Sequence, residues 1–122
     1  MKHETLSHLN FEALKYVLKL LEIENGLILS SSLNISELDP NKKIIKICKS
    51  LNSNVYLAGK GGLNYMNTEL FTENSINIVW QKFNPLEFKY IQNKNEFTPG
   101  LSILDALFSI GAYQTKKLIL NA

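Results

Sequence analysis

Between Asn10 and Gln81 an amphipathic helical pattern and a short apolar run alternate three times, and this alternation constrains the fold more than any other feature. Asn10 is a good N-cap, and after it Leu14, Val17, Leu18 and Leu21 recur at helical spacing. That helix is expected to end near Glu24-Asn25-Gly26, where Gly26 can take the left-handed conformation that closes many helices. Leu27-Ile28-Leu29 then reads as a first short strand. Asp39-Pro40 has the character of an N-cap followed by the first helical residue, opening a second helix with Ile44, Ile47, Cys48 and Leu51 in one stripe. Val55-Tyr56-Leu57-Ala58 is a second strand, and it runs into Gly59-Lys60-Gly61-Gly62. A third helix burying Leu63, Met66, Leu70 and Phe71 precedes a third strand over Ile76–Gln81, whose side chains alternate. Helices and strands in this order predict an α/β fold, a small parallel sheet of about three strands flanked by helices.

From Phe83 to Thr98 the pattern is lost, and Pro85, Phe88, Tyr90 and Phe97 dot a polar stretch expected to be an ordered loop. A last helix opens at Ser102, carries Ile103, Leu104, Leu107 and Phe108 toward the core, and stops at Gly111. The tail from Tyr113 to Ala122 is expected to add a short helix or strand.

With 122 residues, 45% of them apolar, there is material for one small domain. All thirteen basic residues are lysines and the net charge is +2, so there are no guanidinium forks to clamp phosphates. Nucleic acid is therefore not an expected partner. Lys42, Lys43, Lys46 and Lys49 fall opposite the apolar stripe of their helix, as on an ordinary solvated face. A lone cysteine, Cys48, excludes an internal disulfide, and with His3 and His8 it provides no metal-ligand spacing, so no metal site is expected. Cys48 is most simply a small core residue. No apolar run is long enough to span a membrane, and Glu4 interrupts the place where a signal peptide needs its apolar core, so the cytoplasm is the default location.

Gly59, Lys60, Gly61 and Gly62 stand where a strand hands over to a helix, the position at which open parallel sheets bind ligands. Glycines there let backbone N–H groups approach a phosphate, and Lys60 supplies a full charge. The spacing fits neither the Walker pattern nor the dinucleotide fingerprint, and glycines at such a junction also serve the turn alone. Ser31, in Ser30-Ser31-Ser32, follows the first strand and could offer a hydroxyl to a ligand or form a turn. Tyr90 with Gln92 suits stacking on a sugar and hydrogen bonding to it, or anchoring the loop. Ser102 and Asp105 have capping-box spacing, and Asp105 is otherwise a candidate site carboxylate. Trp80 is expected in the core.

Three segments in fixed order, AGKGGLNYMNTELF, INIVWQKF and FTPGLSILDALFSIG, resemble the C-terminal part of the WbqC-like family over about Leu14 to Gly111. Members of that family are associated with bacterial surface-polysaccharide (O-antigen) biosynthesis. The resemblance carries Gly59, Gly62 and Tyr65 over from a segment in which a serine precedes the glycines and a tyrosine follows them. Here Ala58 replaces that serine and removes a hydroxyl. Tyr90-Ile91-Gln92 is similar to the family's Y-x-Q segment, and Phe97–Phe108 to its closing F-x-P-x-L-S-x-x-D-x-L-F pattern. Family members are roughly twice this length, and their Gln-, Pro- and aromatic-rich opening half has no counterpart here, so the family fold is expected to be incomplete. The resemblance implies group transfer to a nucleotide-linked amino sugar, with no catalytic residue or cofactor assigned. The rival expectations are an interaction module completing a site on a second polypeptide that carries the missing half, and the remnant of a truncated gene.

Overall fold

A computed structural model describes residues 5–92 and 96–121. His3, Glu4, residues 93–95 of the expected loop, and Ala122 lie outside the described residues. The chain is a small α/β fold that divides into two units, one formed by the residues up to Leu27 with those from Phe83 onward, the other by Ile28–Lys82.

The second unit contains the sheet. Strand β1 (Val55–Ala58) pairs in parallel with β2 (Asn77–Trp80), Val55 opposite Asn77 and Ala58 opposite Trp80. Among the described residues the sheet has two strands, because Leu27–Leu29 is irregular and leads into a 3-10 turn over Ser30–Leu33. An apolar triplet with no alternation and no paired neighbour has no ladder to hold it extended.

Helix α2 (Pro40–Ser50) starts as expected, with the Asp39 carboxylate accepting from Lys42 N at 2.8 Å and Pro40 at the first position, where no N–H is needed. Its stripe is rotated from the expected one. Ile45 and Cys48 are buried, Ile44 and Ile47 are half-buried, and Leu51 is exposed. The four lysines face solvent, and Lys46 pairs with Glu37 at 2.7 Å. Helix α3 (Thr68–Glu73) is preceded by a 3-10 turn over Lys60–Asn64 and carries Phe71, which is fully buried. Ile45, Cys48, Phe71 and Ile76 form the core of this unit, with Tyr56, Met66, Leu70 and Ile78 packed around them. The Tyr56 and Phe71 rings stack with centroids 6.0 Å apart. Leu63, expected in this core, is exposed because the turn carries it outward, and Trp80 is half-buried.

The other unit holds α1 (Leu6–Leu20) and α4 (Ile103–Leu120). Helix α1 begins five residues earlier than expected: the Thr5 hydroxyl accepts from His8 N at 3.2 Å, and Asn10 lies inside the helix. Of its apolar face Leu21 is buried, Val17 and Leu18 are half-buried and Leu14 is exposed. The turn that closes it falls at Glu22 (φ 52°), not Gly26, with Ile23 N donating to Leu18 O at 2.9 Å and Glu22 N to Lys19 O at 3.0 Å. The same paired bonds close α2 through Asn52 (φ 52°) and α3 through Ser75 (φ 59°). At the end of α3 the apolar contact that accompanies such a turn is also present, since Ile76 and Phe71 share one core.

Helix α4 starts after Ser102, as expected, and breaks at Gly111, where φ 77° and ψ 168° lie in a region open essentially to glycine alone. The tail is a second helical arm that runs to Leu120. Thr115 is fully buried and its hydroxyl donates to Gly111 O at 2.8 Å, supporting the break from the C-terminal side. Ala106, not its larger neighbours, is the buried residue of the first arm; Phe108, Leu104 and Ile103 are exposed and Leu107 is half-buried.

Candidate functional site

The glycine segment begins where β1 ends. Ala58 is buried and its carbonyl accepts from Gln81 N at 2.8 Å, extending the ladder to the edge of the segment. The chain then turns, with Gly62 N donating to Gly59 O at 2.9 Å, and Tyr65 N and Met66 N both donating to Gly62 O. The three glycines are not equivalent. A methyl group at Gly62 would meet Met66 Sδ at 2.8 Å and Trp80 Cζ3 at 3.0 Å, so this buried glycine is where the turn passes close against β2. At Gly59 and Gly61 a methyl group would meet nothing within 4 Å, and neither has a positive φ. The steric need for glycine is thus confined to Gly62 and is met by packing. Gly59, Lys60, Gly61 and Tyr65 are exposed.

Ser31 belongs to the same unit and is exposed within its 3-10 turn. It does not stand at the end of a strand, since the preceding apolar triplet forms none. Its neighbour Ser32 uses its hydroxyl as a turn former, donating to Leu29 O at 2.7 Å. A cavity of about 560 Å³ in this unit runs along β2 and α3, lined by Asn54, Thr68, Thr72, Ile78 and Trp80 among others. None of Ser31, Gly59, Lys60, Gly61, Gly62 or Tyr65 lines it.

Tyr90 and Asp105 belong to the other unit, and there they meet: the Tyr90 hydroxyl donates to Asp105 Oδ2 at 2.6 Å. The Tyr90 ring packs edge-on against Phe97 with centroids 5.8 Å apart. Buried Gln92 is tied to Thr98 by two bonds, its Nε2 donating to Thr98 O at 3.0 Å and Thr98 N donating to its Oε1 at 2.9 Å. The Y-x-Q segment and the closing F-x-P-x-L-S-x-x-D-x-L-F segment therefore hold each other in place, and the polar groups of Tyr90 and Gln92 are already engaged. Burial first, and then the bond to Asp105, push the Tyr90 hydroxyl pKa up, with Gln92 pulling part of the way back.

Ser102 caps α4 by accepting from Leu104 N at 3.3 Å. The carboxylate of Asp105 goes to Tyr90, so only the Ser102 half of the expected capping arrangement is formed. Spacing within one segment, three residues apart, pointed to a local partner for Asp105. The observed partner is fifteen positions upstream and carried no signal beyond the joint presence of the two motifs.

A family model for the WbqC-like protein family matches residues 1–117. The chain is similar to an uncharacterized protein of Mycobacterium tuberculosis, Rv1507c, at 28% identity over 111 residues, covering 91% of this chain and 47% of that one. The chain thus spans about half the length of the curated relative it matches. No solved structure matches it.

Proposed function

The chain belongs to the WbqC-like protein family, and from that membership we propose that it acts in the assembly or modification of bacterial surface-polysaccharide (O-antigen) sugars, by group transfer to a nucleotide-linked amino sugar in the cytoplasm. Family membership is the single observation that carries this function. The glycine segment supports a phosphate contact in it. Gly59 and Gly61 lie open beside the C-terminal end of β1, with exposed Lys60 between them, and an unhindered backbone there can come within hydrogen-bonding distance of a phosphate oxygen. Tyr65 is exposed on the same segment and offers a ring face. The reading is tested by titrating the chain with UDP-N-acetylglucosamine and dTDP-linked amino sugars while following backbone amide resonances. Shifts concentrated at 59–65 and abolished by Gly61→Asp are expected. Gly61 is the position to charge because its replacement meets no neighbour, whereas any side chain at Gly62 disturbs packing. Titrations that leave those resonances unmoved at millimolar nucleotide sugar would remove the phosphate assignment.

A second function, an interaction module that completes a fold on another polypeptide, is favoured by the bare face of the sheet. Val55, Leu57 and Val79 are exposed on the face opposite Tyr56 and Ala58, and parallel sheets are normally covered on both faces. The partner would carry the half of the family length that this chain does not span. Co-expression with the N-terminal half of a longer family member should yield a stable complex by size-exclusion chromatography and light scattering, and Leu57→Asp should dissociate it. Separate elution of the two halves would eliminate this alternative.

A further inference from the structure

Beside Tyr90 lies an open groove of about 580 Å³ lined by Lys89–Ile91, by both arms of α4, with Ile110 on the first and Gln114, Lys117 and Leu118 on the second, and by Asn121, which caps that helix. This volume falls within the range of small-molecule sites. Its chemistry is mixed in a specific way. Lys89 and Lys117 are both lining residues, and among the described residues neither makes an ion pair. The Lys117 ammonium rests over the ring of Tyr113, a residue outside the lining, 4.5 Å from its centroid, a contact that leaves its charge available to an anion at the rim. Among the described residues no carboxylate lines the cavity, and Asp105, the acid bonded to Tyr90, is not part of its wall. The Gln114 and Asn121 side-chain amides make no hydrogen bond among the described residues, so they can donate to and accept from a ligand. Ile91, Ile110 and Leu118 supply an aliphatic floor, and the Tyr90 ring is held by Asp105 and Phe97.

Each ligand class can be weighed against this lining. A neutral apolar molecule would make no use of the two exposed lysines or of the two amides. A polyanion draws on many cations along its length, and this cavity offers two. A monosaccharide bearing one phosphate or carboxylate matches every wall: charge to the lysines, hydroxyls to the two amides, and a C–H face to the aliphatic floor.

We propose that the cavity formed by Lys89, Tyr90, Ile110, Gln114, Lys117 and Asn121 is a binding site for a small anionic sugar, a sugar phosphate or a uronate. It uses no residue of the glycine segment, and it stands or falls separately from the nucleotide-sugar reading. The test is a calorimetric and amide-resonance titration of the whole chain with glucose 1-phosphate, glucuronate, methyl glucoside and inorganic phosphate. Expected are shifts at Gln114, Lys117 and Asn121, and binding of at least one anionic sugar about tenfold tighter than methyl glucoside, as charge-assisted hydrogen bonds imply. Lys117→Met keeps the aliphatic stem and should weaken that binding about tenfold at an unchanged melting temperature, while Gly61→Asp leaves it intact. Lys89→Met gives the same readout should the Lys117 variant lose its fold. Equal affinity for methyl glucoside, equal affinity for inorganic phosphate (an adventitious ion only), or full binding by a folded Lys117→Met or Lys89→Met variant would overturn the proposal. So would an absence of shifts with every probe.

Discussion

Replacing Gly62 with alanine probes the glycine segment where packing and ligand contact make opposite demands. The added methyl carbon would sit 2.8 Å from Met66 Sδ and 3.0 Å from Trp80 Cζ3, against an ordinary contact of 3.4–4 Å. Met66 is half-buried on a flexible side chain and can retreat, but Trp80 is part of β2 and its ring position is set by the strand. Over-packing of this kind costs about 1–3 kcal/mol, and the lower entropy of the unfolded alanine chain returns about 0.4–1 kcal/mol. The net expectation is a loss of about 1–2 kcal/mol, or a fall in Tm of about 4–8 °C.

The internal control is Gly61→Ala, one residue away, where the methyl meets nothing and φ is not positive. Here only the unfolded-chain effect operates, so the variant should be unchanged or up to about 1 kcal/mol more stable. Urea titration of both variants and wild type, followed by Trp80 fluorescence, gives the two differences directly. Placing Gly62→Ala in a Met66→Ala background should recover about half of the loss, because one of the two close contacts is gone. Equal destabilisation by Gly61→Ala and Gly62→Ala, or a neutral Gly62→Ala, would refute the account of Gly62 as a packing residue.

Tyr90→Phe removes the hydroxyl that donates to Asp105 and should cost about 1–2 kcal/mol in urea unfolding, with Asp105→Asn closing a double-mutant cycle that shows the two to be coupled. Because the folded pKa of Tyr90 is raised, its contribution is fully present below the ordinary tyrosine pKa and is lost as pH rises through the folded value. Burial also raises the Tyr56 pKa, so a phenolate absorbance titration should show a late-ionising component from Tyr56 and Tyr90 together, and Tyr90→Phe should remove the Tyr90 share of it and leave the Tyr56 share. Burial pushes the Cys48 thiol pKa up, so Cys48 should react with a disulfide reagent at pH 8 far more slowly in the folded chain than in urea. Phe71→Ala, at a side chain with no exposed surface, should cost about 3–5 kcal/mol by the same unfolding assay.

The parts of this fold legible in the sequence are those governed by neighbouring residues. Asp39-Pro40 and Ser102 start their helices as their local chemistry dictates, and Val55–Ala58 and Asn77–Trp80 are strands where apolar residues run or alternate. The end of α1 is the one the sequence pattern misplaces: it points to Gly26 for the left-handed closing residue, whereas Glu22 takes that conformation under the pull of two backbone hydrogen bonds, as Asn52 and Ser75 do after α2 and α3. Leu27–Leu29 has strand-like composition, yet composition cannot supply the paired neighbour that makes a strand. At the candidate site, the glycines were visible and their inequivalence was not, since it depends on Trp80 arriving from β2. Tyr90 and Asp105 were each singled out, but their bond depends on a loop path that no periodicity encodes. Lys89, Gln114, Lys117 and Asn121 carried no signal at all, because ordinary surface residues become a cavity only when a bend gathers them.

That bend is the torsion at Gly111, and it works as a lever. Lys117 lies six residues beyond the pivot, so at 1.5 Å per residue the arm that carries it is about 9 Å long. The cavity itself, at about 580 Å³, is comparable in width to that arm. A side chain at Gly111 that forced the helix straight would swing one wall of the cavity through a distance like its own diameter while leaving every lining residue unchanged in identity. Two sequences alike at all eight of those positions and different at this one would then differ in whether the hollow exists, so comparison of family members at the lining residues says little until the pivot residue has been compared first.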